Sequence, residues 1–285
     1  MNDTEVDDVF LHPAGIVKGS SEGDFEGRAG LLVFDVSVHD LVLVTAAQIG
    51  HTQGELRAGG RIIAARSPNR FPEEMHGEVR AATEMLAILP VRSGIKLAGH
   101  QPWRPATHMG DSGAFLPARY LGDHVEVHVG IDEARQATLS STHARFRMPC
   151  PYTGEMTLFV DALELTAIDG EAVTRKGESG ALVTTRNGVP IGIVVCGIGS
   201  LSFAAPLWPV LRDRLPEWEL LGSGRIDVFN QRAEEERIVP EAISSGRPAA
   251  GLKQDLEKME KLVRSGDTDA IRERASEIST AYFGV

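Results

Sequence analysis

The segment that decides the fold is GESGALVTTRNGVPIGIVVCGIGSLSFAAPL, residues 177–207. It opens with Gly177-Glu178-Ser179-Gly180, a serine in a short segment that begins and ends with glycine. The apolar runs 181–185 and 190–197 flank Arg186-Asn187-Gly188, and an Asn-Gly pair between two apolar runs is a strong β-hairpin signal. The segment therefore predicts a tight turn that presents a serine, then a hairpin, then a further strand.

This segment resembles the nucleophile region of the trypsin-like (chymotrypsin-fold) serine peptidases. In that family a Gly-[Asp/Glu]-Ser-Gly turn is followed by a hairpin, a strand that binds the substrate backbone and a closing Phe-Ala-x-Pro-[Ile/Leu] strand. All four parts occur here in the same order and spacing. The resemblance implies that Ser179 is the nucleophile position and that the N–H groups of Gly177 and Ser179 form the oxyanion hole. Glycines suit such a turn, which must aim backbone donors at a developing oxyanion.

Two matches in the first half of the chain carry the wrong residues for catalysis. LVLVTAA, residues 41–47, resembles the strand that ends in Thr-Ala-Ala-His, and Gln48 stands at the position of that histidine, the general base. A glutamine amide has no basic nitrogen and cannot accept the serine proton. MLAIL, residues 85–89, resembles the Asp-x-Ala-x-[Leu/Ile/Val] segment, which puts Met85 at the carboxylate position. Glu84 is adjacent, but a one-residue shift in a strand points it to the opposite face.

The sequence leaves other sources of nucleophile or base open. His51 lies three residues beyond Gln48, about one helical turn on, and His39 lies in the preceding loop or strand. Either imidazole is a possible substitute base, although a histidine without a catalytic role is the commoner case. A second Gly-Asp-Ser-Gly-Ala, residues 110–114, offers Ser112 as nucleophile. Its position argues against it, because the nucleophile turn belongs late in the second barrel.

The resemblance also predicts the pocket beside the serine. The wall before the serine contains Val173, and the strand after it contains Val195 and Gly197, so we expect an apolar pocket. His124, Glu126 and His128 share a face of a predicted strand at a spacing that suits a metal, but a solvated strand face is the commoner case and no further ligand lies close by. We therefore predict neither a metal nor another cofactor.

The remaining pattern predicts a mainly β protein. AGLLVF (29–34) and DLVLVT (40–45) predict buried strands, and DHVEVHVG (123–130) alternates as a half-buried strand does. The expected fold is two six-stranded antiparallel β-barrels of the chymotrypsin type with a C-terminal helical extension. The predicted order is an acidic N-terminal tail (1–14), the first barrel (15–95), an inter-barrel crossing (96–121), the second barrel (122–222), a linker (223–251) and a helical hairpin (252–285). The second barrel includes a short closing helix within 206–221 that is broken near Pro216.

Composition narrows the partners and the compartment. A net charge of −11 repels phosphate backbones, so we expect no nucleic acid. No apolar run reaches the ~20 residues of a membrane span, and no segment resembles a signal peptide, so we expect no membrane contact and a cytoplasmic location. Cys150 and Cys196 are far apart in sequence, and we expect two reduced thiols, although the sequence leaves their pairing open.

Three functions are compatible with these matches. The first is a catalytically inactive or impaired homologue of the trypsin-like peptidases that binds a protein or peptide partner or regulates it, because fold does not imply activity. The second is an active serine endopeptidase that uses Ser179 with His51 or His39 as base. The third is an accessory subunit of an intracellular bacterial signalling or defence complex. The oligomeric state stays open.

Overall fold

The chain divides into two compact units, Met1–Phe229 and Asn230–Val285. Only residues 230, 231 and 258 of the second unit are described, so the account of the fold concerns the first. The predicted helical hairpin, most of the linker and residues 1–9 of the acidic tail lie outside the described residues. The computed structural model describes residues 10–19, 25–38, 40–50, 55–59, 61–65, 79–92, 95–98, 103, 115–150, 154–215, 217–221, 226–227, 229–231 and 258.

The first half of this unit is built from short strands. Its elements in chain order are β1 (Phe10–Leu11), β2 (Ile16–Gly19), β3 (Phe25–Arg28), β4 (Leu31–Asp35), β5 (Asp40–Ala46), helix α1 (Ala47–Gly50), β6 (Glu55–Ala58), β7 (Arg61–Ala65), β8 (Val79–Ala81), a 3₁₀ helix (Ala82–Met85), β9 (Leu86–Pro90) and β10 (Lys96–Leu97). β4 is buried at every position and β5 at all but its first, as their unbroken apolar runs predict.

The second half has longer strands. Its elements are a 3₁₀ helix (Pro117–Tyr120), β11 (His124–Gly130), β12 (Glu133–Pro149), β13 (Met156–Ala167), β14 (Leu182–Thr185), β15 (Pro190–Ile198), β16 (Leu201–Pro206), helix α2 (Leu207–Arg214) and β17 (Trp218–Leu220). In the part of the chain that the structure describes, no helix is long and apolar enough to cross a bilayer.

Six strands of the second half pair in a closed ring. All the pairs are antiparallel, in the order β12-β11-β14-β15-β16-β13, and β13 pairs back to β12. The predicted hairpin joins β14 to β15 through Gly188, whose φ of 76° suits the turn. β8 adds to β13 in parallel, outside the ring. This ring agrees with the expected second barrel, and the mainly β class is confirmed.

The first half forms two four-stranded sheets rather than six strands from residues 15–95 alone. Their orders are β3-β2-β6-β7 and β17-β4-β5-β9, and a single bridge between Ala64 and Val91 joins them. The short helix predicted from Pro206 and broken near Pro216 is α2, and the residues after Pro216, for which no strand was predicted, form β17 and pair with β4. Three residues are too few to show a strand period in the sequence, and their extended form depends on this long-range pairing.

Two apolar clusters form the core. One fills the ring, and the larger one occupies the first half and the surface between the halves. β15 contributes to both, because Val194 faces the ring while Ile193 and Val195 face the larger cluster. Successive side chains of a strand point to opposite faces, so a strand buried on both sides shows the continuous apolar run found here. β15 thereby leads from the core of the ring to the turn that contains Ser179.

Candidate functional site

Ser179 lies in a tight turn that backbone conformation and packing both fix. Gly177 and Gly180 have φ values of 89° and 90°, in the left-handed region that side chains disfavour. A Cβ on Gly180 would lie 2.1 Å from the carbonyl oxygen of Arg28, so no larger residue fits there. The N–H of Gly180 donates to the carbonyl of Val194 at 2.8 Å, which ties the turn to β15.

The turn leaves two backbone donors unused. The N–H groups of Gly177 and Ser179 make no hydrogen bond to any residue that the structure describes. The carbonyl groups are held instead: Ser179 accepts from the N–H of Arg28 at 2.7 Å, and Gly177 accepts from Nη1 of Arg28 at 3.3 Å. Two free donors around a serine are what stabilisation of an oxyanion requires. They are the two donors that the resemblance implies.

Gln48 contacts Ser179 directly. It lies in α1, immediately after β5, and its Nε2 donates to Ser179 Oγ and to the carbonyl oxygen of Val195, each at 2.7 Å. The second bond fixes the orientation of the amide, because a carbonyl oxygen can only accept. The oxygen of Ser179 therefore accepts a hydrogen bond where a peptidase serine donates one to its base. Gln48 Oε1 is buried and has no partner among the described residues.

Met85 lies in the 3₁₀ helix that neighbours α1, the helix of Gln48, and its side chain carries no charge. It ends the 3₁₀ helix that precedes β9, and β5 and β9 pair as Ala46 with Leu86. Gln48 therefore follows Ala46 by two residues, and Met85 immediately precedes Leu86, the partner of Ala46. The Met85 side chain is completely buried in the larger core cluster. The Glu84 carboxylate bonds locally instead, to the N–H of Ala81 at 3.2 Å and to Arg80 at 3.3 Å.

Several predicted residues lie outside the described part of the chain. These are the two candidate substitute bases, His51 and His39, and the second Gly-Asp-Ser-Gly-Ala with Ser112. The two histidines predicted on one strand face have unlike surroundings. His124 is exposed and its Nδ1 lies 2.7 Å from Arg186, whereas His128 is buried and its Nε2 lies 2.8 Å from Thr184 Oγ1.

The residues of the predicted pocket do not share one face, because Val173 packs inside the ring whereas Val195 packs in the larger cluster. Val173 and Val195 are buried, and Gly197 is exposed. Two hydroxyl groups that the sequence did not single out lie next to Gly197, those of Thr174 and Ser202, whose oxygens are 2.7 Å apart. Both side chains are buried, so the lining is more polar than the valines alone indicate.

An ion pair that the sequence did not predict holds Glu178, the residue before Ser179. The Glu178 carboxylate is buried, and Arg135 donates to both of its oxygens at 2.8 and 2.9 Å. Burial alone lowers the pKa of Arg135, but hydrogen bonds and charge from Glu178 and Glu133 outweigh it and hold the pKa above its ordinary value. The Glu178 carboxylate also accepts from the N–H of Arg175 at 2.6 Å. The segment leading to Ser179 is therefore fixed at both ends.

Cys196 stands next to the site on β15. Both cysteines are free thiols, as expected, with Cys150 buried and Cys196 half-buried. Burial raises the pKa of the Cys196 thiol to about 12. Because the thiolate is the reactive form, this side chain is a packing group at neutral pH and not a second nucleophile.

Solved structures of similar fold are serine proteases. Nocardiopsis protease aligns over 75% of this chain and all of its own length, with a TM-score of 0.52 and 13% identity. Protease A of Thermobifida fusca aligns over 75% of this chain and 99% of its own, with a TM-score of 0.49 and 16% identity. Cellulomonas bogoriensis chymotrypsin aligns over 75% and 99%, with a TM-score of 0.47 and 13% identity.

The first of these likenesses shows that the chain has a chymotrypsin-like fold, as the sequence predicts. At 13% identity it shows nothing about activity. No protein-family model matches the chain, and no curated protein is significantly similar to it in sequence.

Proposed function

We propose that this protein is a catalytically impaired homologue of the trypsin-like peptidases and that it acts as a protein-binding or regulatory module. One observation carries the proposal: the Gln48 amide donates to Ser179 Oγ at 2.7 Å. A serine becomes a nucleophile when a neighbouring base takes its proton. Here the neighbour of Ser179 Oγ is the Gln48 amide, which donates a hydrogen bond to the serine oxygen and cannot take its proton.

The size of the defect follows from the roles of the altered positions. Removing the base of a serine peptidase triad costs on the order of 10⁶ in kcat in subtilisin, and what remains comes from the oxyanion hole and binding. The apolar Met85 compounds the loss, because it cannot orient or stabilise an imidazolium. The two unused N–H groups at Gly177 and Ser179 would then serve to bind a carbonyl oxygen of a ligand without reaction.

The strand next to Ser179 supplies a surface for a peptide. From Cys196 to Ile198, β15 pairs with β16 on one side. On its other side, the ladder with β14 and the preceding turn ends at Val194, and within the described residues no strand covers the edge beyond it. An extended peptide can add to such an edge through backbone hydrogen bonds. The expected partner is therefore a protein with an exposed extended segment.

A second candidate function is an active serine endopeptidase with a substitute base, His51 or His39. The observation that favours it is the pair of free donors at Gly177 and Ser179, which a binding role does not require. In this case an imidazole would have to displace the Gln48 amide from Ser179 Oγ.

Labelling with a fluorescent fluorophosphonate separates the two functions. The probe reacts with activated serines and needs no knowledge of the substrate. We expect equal background labelling of the native protein and of the Ser179→Ala variant, with an active peptidase labelled in parallel. Labelling that disappears in Ser179→Ala would overturn the proposal, and the His51→Ala and His39→Ala variants would then identify the base.

A further inference from the structure

Where the edge of β15 is uncovered, the space between Gly197 and Thr174 is almost shut. Its walls are the segment that contains Thr174 and the end of β15 at Gly197; we call the space between these two residues the slot. A Cβ placed on Gly197 would lie 2.6 Å from Thr174 Oγ1. Since a C–C bond is about 1.5 Å, the Gly197 Cα is at most about 4.1 Å from that hydroxyl.

No ligand atom fits into a gap of that width. Non-bonded heavy atoms approach to roughly 3.5–4.0 Å, so a carbon between the two walls needs them about 7 Å apart. The closed arrangement is also fixed. Thr174 Oγ1 bonds Ser202 Oγ at 2.7 Å, both residues are buried, and Ser202 is the register partner of Gly197 across β15 and β16. The two hydroxyls therefore occupy the space that a ligand side chain would take.

We infer that the residue of a bound peptide that lies over the slot is glycine or alanine, because Thr174 and Ser202 exclude any longer side chain. This inference rests on the proposed function, since it concerns the ligand of the same groove. Recognition then comes from backbone hydrogen bonds along the edge of β15 and not from a deep side-chain pocket. Thr174 and Ser202 are the specificity-determining residues of this arrangement.

A double-mutant cycle tests the closed slot without any ligand. The φ of Gly197 lies outside the left-handed region, so the cost of Gly197→Ala is steric, and its tightest contact is with Thr174 Oγ1. We expect Gly197→Ala to lower Tm by roughly 2–10 °C in the native background. In the Thr174→Ala background the same change should cost much less, because the next atoms stand 3.3 Å away. Thr184→Ala is the matched control, since that hydroxyl bonds His128 instead and should leave the loss unchanged.

Selection of phage-displayed random dodecapeptides on the full-length protein supplies the second readout. The expected result is a family of peptides with one position restricted to glycine or alanine, and Thr174→Ala should admit larger residues at that position alone. Loss of binding when Gly197→Pro is added to Thr174→Ala, but not when Gly197→Ala is added to it, would place these peptides on β15, because only proline lacks the backbone N–H.

The outcomes separate the inference from the proposed function. A Gly197→Ala loss that Thr174→Ala leaves unrelieved overturns the inference whatever the peptides show. Selected peptides that bind at β15 but have no position restricted to glycine or alanine also overturn the inference, and they leave the binding function standing. A closed slot with no selected peptide overturns the binding function, and the inference falls with it. A Gly197→Ala loss that Thr174→Ala relieves, together with peptides that have one position restricted to glycine or alanine, supports both the inference and the binding function.

Discussion

The two sides of the candidate site differ in what they retain. The side that the second half supplies has the glycine turn, the serine and two backbone donors without a partner among the described residues. The side that the first half supplies has an amide and a thioether, Gln48 and Met85, where an imidazole and a carboxylate are expected. The turn is tied to Arg28, Val194 and Arg135 by contacts that the fold needs with or without catalysis. The difference teaches that a serine turn with its glycines in place is evidence of the fold and is not by itself evidence of activity.

Breaking the turn should have the largest effect. Gly180→Ala forces a side chain into the left-handed region and against the carbonyl of Arg28. We expect it to lower the free energy of unfolding by about 3–6 kcal/mol, measured by denaturant titration. Gly170→Ala is the control, because Gly170 has a φ of 80° with nothing within 4 Å of its Cβ position, and we expect a loss of only about 1 kcal/mol. Equal losses would show that the turn is not packed as described.

Removing the anchor below the turn should come next. Arg135→Met leaves the buried Glu178 carboxylate without its bidentate partner, and we expect a loss of about 2–4 kcal/mol in the free energy of unfolding. The range allows for the 21% exposure of the Arg135 side chain. Glu133→Gln removes only the exposed member of the cluster and should change stability by less than about 0.5 kcal/mol. The order of these two losses decides which contact holds the turn.

Placing a base next to Ser179 should increase the reactivity of its hydroxyl group. Gln48→His puts an imidazole next to Ser179, and we expect fluorophosphonate labelling to rise about 10²-fold, because a positioned base contributes 10²–10⁴. Adding Met85→Asp should raise labelling further by orienting that imidazole. The same changes on a Ser179→Ala background should label at background. A folded double variant that stays unlabelled would mean that the turn, too, is unfit for catalysis.

The smallest expected signal is at Cys196. Its thiol, with a pKa raised to about 12, stays protonated up to alkaline pH, since deprotonation rises only as pH approaches the pKa. We expect iodoacetamide at pH 8 to modify Cys196 barely in the folded protein and readily in denaturant, followed by peptide mass spectrometry. Rapid modification of the folded protein would show that the site end of β15 is more open than described.

The sequence predicted those parts of the fold and site that depend on local spacing. The Ser179 turn, the hairpin at Gly188 and the strand before Gln48 each carry their pattern within a few residues. The contacts that fix the site join distant segments instead. Arg135 lies 43 residues from Glu178, and Thr174 lies 28 from Ser202. Neither pair has a local period or motif, so only the folded chain identifies them. The site assignments to Ser179, Gln48 and Met85 stay predictions until labelling is measured.

The pairing of β17 with β4 has a consequence for how the chain folds. Phe34 and Glu219 are register partners, so the edge of the first sheet is covered only by residues made nearly two hundred positions later. Contacts of such long range slow folding, because the loop entropy must be met before they form. During synthesis the apolar β4 edge stays open to other chains until Trp218–Leu220 has left the ribosome. Co-translational aggregation, and its suppression by chaperones, should therefore depend on whether β17 has been made.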